Sequence, residues 1–143
     1  MGYRFSDSEF MPARRKELVL RAWVRFLKHG LRFADFTKGL YEHLILHCSF
    51  IAHYDRGGFY GTYFESGGDT ARFLSQFDKR GEGRSVEYGG NWWLHGEYAD
   101  LNRAMVEEAA PYLPSLIEDA KHAEREADLG EARRLLAKHG LQE

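Results

Sequence analysis

The chain has 143 residues, with 20 Lys and Arg against 22 Asp and Glu, a formal net charge of -2 and 43% hydrophobic residues. That length suits one domain with one core, and that balance suits a globular chain rather than a disordered one. The single cysteine, Cys48, excludes an internal disulfide framework and any zinc site that needs two thiolates from this chain.

Residues 1–11 read as a flexible N-terminal arm, and 12–143 as a single helical domain. Pro12 suits a first helical turn, and a helix is expected over 13–29, closed by Gly30. At about 100° per residue, Val19, Trp23, Phe26 and Leu27 share one face. Arg14, Arg21, Arg25 and Lys28 line the opposite face within about 60° of one another. Between Ala13 and His29 there are six basic residues and one acid, Glu17. Cations along one helix face can follow a phosphate backbone. The plainer alternative is a solvated outer face, although such faces usually mix signs.

Asp35 or Thr37 can cap a second helix running to about Tyr54, with Leu40, Leu44, His47 and Ile51 as its central stripe. So apolar a helix is expected at the buried centre. The longest stretch without Asp, Glu, Lys or Arg is His43 to Tyr54, twelve residues with three histidines, too short and too polar to span a bilayer. No long apolar run opens the chain, so a cytoplasmic location without a membrane is expected.

Asp55-Arg56-Gly57-Gly58 reads as a turn, followed by a short aromatic helix with Phe59, Tyr60, Tyr63 and Phe64. Gly67-Gly68-Asp69 reads as a break, with a further helix from Asp69 or Thr70 to about Phe77. Lys79 to Arg84 reads as a loop. Residues 86–94 suit a short hairpin around Gly89-Gly90, or a helix capped by Asn91. A helical stripe then runs from Leu94 to Pro111, and Pro114 opens another helix. Asp128 and Glu131 have capping-box spacing, which predicts a separate last helix to His139. The fold expected is therefore all-α, with five to six helices and at most one hairpin.

Three constellations carry chemistry. The first is the basic stripe on the first helix. The second joins Tyr54, Arg56, Phe59, Tyr60, Lys79, Arg80, Arg84 and the pair Trp92-Trp93, where aromatics alternating with cations on a glycine-rich backbone suit stacking on unpaired bases, although Phe59 at helical spacing is as well read as core. The third is His43 and His47, four apart on one helix. With Glu118 and His122, also four apart, they could hold a divalent transition metal between two helices. Residues 1–84 carry 14 basic and 10 acidic side chains, whereas 85–143 carry 6 and 12. That division suits a polyanion partner or head-to-tail self-association. The leading expectation is a non-enzymatic nucleic-acid-binding accessory module of a larger assembly, without a cofactor. The alternatives are a protein–protein interaction domain and a metal-dependent enzyme built on the histidines.

Overall fold

Asp7 starts the first helix from a distance. Pro12 has no side chain to cap with, and Asp7 instead accepts a 2.7 Å hydrogen bond from the Ala13 amide. Helix α1 then spans Ala13–Lys28. It ends in a paired closure, with Gly30 N–H donating to Leu27 and Leu31 N–H to Phe26. Gly30 takes the left-handed backbone at φ 80°, as the sequence predicts, and Leu31 follows it there at φ 66°.

The computed structural model describes residues 3–48, 55–78 and 96–140, and every regular element in them is helical. After a 3-10 turn at Phe33–Asp35 come α2 (Lys38–His47), α3 (Arg56–Phe64), α4 (Gly67–Ser75), α5 (Ala99–Ala109) and α6 (Leu113–Lys138). Thr37, Asp55 and Ser66 cap α2, α3 and α4, each accepting from the amide three residues on. The hairpin expected at 86–94 lies outside the described residues. No described helix is long and apolar enough to cross a membrane.

Three elements differ from expectation for identifiable reasons. Helix α2 stops at His47, and only Leu40, His43 and Leu44 on it are buried. The most enclosed described helix is α5, with seven of its 11 residues buried, and the inner face of α1 also buries seven, Trp23 and Phe26 completely. Gly67 and Gly68 do not break the chain but form the first turn of α4. A Cβ at Gly67 would stand 2.1 Å from the Ala120 carbonyl oxygen, so its absence lets α4 press against α6. The Gly68 amide donates to Glu124 at 3.0 Å across the same contact. Asp128 does not restart a helix either: α6 runs unbroken through it, the surrounding Ala, Leu, Glu and Arg outweighing Gly130.

The core is aromatic. Trp23 and Phe26 of α1 meet Phe36, Phe73 and Phe77, and Phe36 stacks in turn on Phe59, all fully enclosed. The Trp23 indole donates to the Met105 carbonyl at 2.9 Å and ties α1 to α5. Residues 3–11, read from the sequence as a flexible arm, lie along α5. Tyr3 donates towards Glu107 and Glu108, Ser6 bonds Asp100, Ser8 bonds the Glu97 carbonyl, and Met11 enters the core.

Candidate nucleic-acid interface and a buried polar cluster

Apolar anchors on one side of α1 fix which way its cations face. Arg14, Arg21, Arg25 and Lys28 are all exposed, as is Arg15 beside them. Of these five, only Arg21 is in an ion pair among the described residues, with Glu17 at 4.0 Å. Leu18 is 45% exposed at the α2-side edge of the stripe. Grooves flank the helix on both sides. One, of about 300 Å³, separates it from α2 and is lined by Arg15, Leu18 and Leu40. The other, of about 470 Å³, separates it from α5 and is lined by Leu20, Val24, Lys28 and Glu108. Arg21 and Arg25 border both, so α1 stands as a ridge with its guanidinium groups at the crest.

The sixth cation of α1 faces the other way. Lys16 is completely buried, and its ammonium donates to Asp100 and to the Glu97 carbonyl, each at 2.9 Å. It also lies 5.6 Å from the centre of the Tyr98 ring. Burial pushes the Asp100 carboxyl up. Hydrogen bonds from Ser6, Lys16 and Leu101, with the Lys16 charge, outweigh that and leave it below its ordinary value.

Beside Lys16, α2 and α5 share a second group. Asn102 is fully buried; its amide oxygen accepts from His43 Nε2–H at 2.7 Å and from the Cys48 thiol at 3.3 Å. Its amide nitrogen donates to the His47 carbonyl at 3.0 Å. His43 Nδ1 has no hydrogen-bond partner among the described residues. Burial, with the nearby charges of His47 and Lys16, lowers His43 to about 4 despite the Asn102 bond. Burial lowers His47 as well, and its ring stacks on Tyr98 at 3.6 Å. Burial raises the Cys48 thiol far above its ordinary value, so it is no nucleophile at neutral pH.

The four residues considered for a metal are not brought together. His43 and His47 belong to this interior group, whereas Glu118 and His122 are exposed on α6, Glu118 pairing with Arg125 at 3.4 Å. Among the described residues no group of three or more His, Cys, Asp or Glu is arranged to hold a metal ion. The aromatic and cationic loop set is also divided. Tyr54, Lys79, Arg80, Arg84, Trp92 and Trp93 lie outside the described residues. Arg56 serves the fold: it donates to the Phe36 carbonyl at 2.8 Å and covers the Phe33 ring at 4.5 Å. Phe59 is in the core, and Tyr60 donates to the Leu31 carbonyl at 2.6 Å.

Sequence reasoning named the crest but missed Arg15, Leu18 and Lys16. The helical period held the signal for the last two. Leu18 falls beside Arg25 on the outer face, and Lys16 falls between Trp23 and Leu27 on the inner one. No family model, curated protein or solved structure matches the chain.

Proposed function

We propose that the chain is a non-enzymatic nucleic-acid-binding module, acting as an accessory subunit of a larger assembly, with the outer face of α1 as its contact surface. The observation that carries this reading is the row Arg14, Arg21, Arg25 and Lys28, exposed on one core-anchored helix with one loose ion pair among them. Cations left without internal partners are available to neutralise phosphates, and each phosphate neutralised releases condensed counterions. A helix already fixed by Trp23 and Phe26 orders little further on binding, so more of that gain is kept.

The test is fluorescence anisotropy with labelled DNA and RNA between about 50 and 200 mM salt. Four phosphate contacts give a slope of log affinity against log salt near -3 to -4. Arg21→Glu with Arg25→Glu should lower that slope by about two units and weaken binding of every sequence alike. The same pair should change stability by no more than about 0.5 kcal/mol each, because both side chains are solvated. Absence of binding to any nucleic acid at the lowest salt would overturn the reading.

A protein-interaction role is the second reading, favoured by the far half of α6. Beyond Ala120 that helix buries no residue, and it exposes Leu129 and Leu135. A protein docked there would hold on with little dependence on salt, which separates the two readings.

A further inference from the structure

The geometry points to B-form duplex DNA as the ligand of the α1 face, with the helix seated in the major groove. This inference rests on the nucleic-acid reading above and names its substrate class. Three features carry it. The first is shape. An α-helix with its side chains is about 10–12 Å across, and the B-form major groove is about 12 Å wide. A helix can enter only if it stands clear of its own domain, and grooves on both flanks of α1 leave it that clearance. The A-form major groove of RNA is too deep and narrow for such a ridge.

The second feature is how the side chains divide across the ridge. Arg14, Arg21 and Arg25 occupy the crest, with Leu18 and then Arg15 on the α2-side flank and Lys28 on the α5-side flank. In a major groove the crest meets base edges and the flanks meet the two phosphate rails. Arginine is suited to bidentate bonding with guanine O6 and N7, and an aliphatic side chain such as Leu18, beside Arg25 at the edge of the crest, to the thymine methyl. The basic run from Arg14 to Lys28 covers about 21 Å of helix axis, enough to follow the groove past several base pairs. Glu17 and Glu108 stand towards the α5 side, so phosphate is better held on the side of Arg15.

The third feature is that the crest carries no aromatic ring. Recognition of single strands relies on stacking bases over aromatic side chains. The rings of α3 are turned inward: Phe59 is wholly enclosed, Tyr63 is buried and Tyr60 is bonded to the Leu31 carbonyl. Among the described residues the α1 face therefore offers phosphate contacts and base-edge donors but no aromatic ring to stack on.

The test compares the full chain on a DNA duplex of mixed sequence, the matching RNA duplex and the separated DNA strands, at one salt concentration. The DNA duplex is expected to bind at least about tenfold more tightly than the other two. In a second measurement, the DNA duplex is sparsely methylated at guanine N7, which blocks the major groove without touching the backbone. The protein-bound fraction should be depleted of methylated guanine, and Arg14→Ala with Arg21→Ala and Arg25→Ala should abolish the depletion, with circular dichroism unchanged. Equal or tighter binding of single strands or RNA, or equal methylation in bound and free DNA, overturns the inference while leaving the α1 face as a nucleic-acid surface. Failure to bind all three removes that surface as well.

Discussion

Lys16 and His43 show how a single buried polar group depends on its partners. Lys16 is enclosed, while Asp100 opposite keeps a side chain 29% exposed and has three further hydrogen bonds. Replacing Lys16 by Met keeps the stem and removes the charge, so the Glu97 carbonyl keeps only Ser8 as a donor and Asp100 Oδ1 only the Leu101 amide, and the carboxylate loses its counter-charge. The expected cost is about 2 kcal/mol, less than for a fully enclosed pair because water can reach Asp100. Urea denaturation reads it as a lower midpoint at unchanged slope. The position of Lys16 on the apolar face was legible from the helical period. Its partner was not: Asp100 is 84 residues away, and only the docking of α5 on α1 brings it near.

His43 is neutral in the folded chain, its value lowered to about 4 against about 6.5 when unfolded. Between those values the unfolded chain binds more protons, so stability is fully present above about pH 6.5 and falls as pH drops towards 4. The loss is about 3 kcal/mol, and His47, shifted the same way, adds to it. Asp100, held low, contributes its own loss only at still lower pH. His43→Gln keeps a donor for the Asn102 oxygen and does not titrate, so most of the slope should vanish in denaturation curves between pH 7 and 4.5. A wild-type chain equally stable across that range would mean that the imidazole is not held neutral.

Glycines separate the two halves of α6. At Gly67 an added methyl would meet the Ala120 carbonyl and the Glu124 amide, both backbone, so neither can swing away. Gly67→Ala must pry α4 off α6 and should cost several kcal/mol, comparable to overpacking a core. At Gly130, in the far half, nothing lies within 4 Å and the backbone is helical. Gly130→Ala should instead stabilise that helix by about 1 kcal/mol through propensity alone. Thermal melts of the two variants should move in opposite directions. The sequence suggested the reverse of the first result, because paired glycines signal a break wherever no partner is known. What converts them into a helical first turn is the Ser66 cap together with a neighbour more than fifty residues on. Helix α1, by contrast, was readable from end to end: Gly30 and the spacing from Val19 to Leu27 are local signals, and packing agreed with them.

At the scale of the molecule, charge and apolar surface are distributed by which helices have neighbours. Helix α1 touches α2 and α5 along its inner side and presents an almost uniform cationic outside. Its neighbour-free side was visible in the sequence, whereas the two flanking grooves depend on how α2 and α5 are set against it. Among the described residues helix α6 has a partner only over its first turns, through Leu113, Ala120 and Glu124. Its 26 residues amount to about 39 Å, of which more than half extends past the last buried side chain. The consequence is hydrodynamic. A 143-residue chain folded into a sphere-like body has a radius of gyration near 14–15 Å. A helix projecting from one side places mass far from the centre, and squared distances weight it heavily. Small-angle X-ray scattering should therefore return a clearly larger radius, with a shallow tail at long distances in the pair distribution. A symmetric distribution at the compact value would mean that the far half of α6 folds back, and Leu129 and Leu135 would then lie against the body in solution.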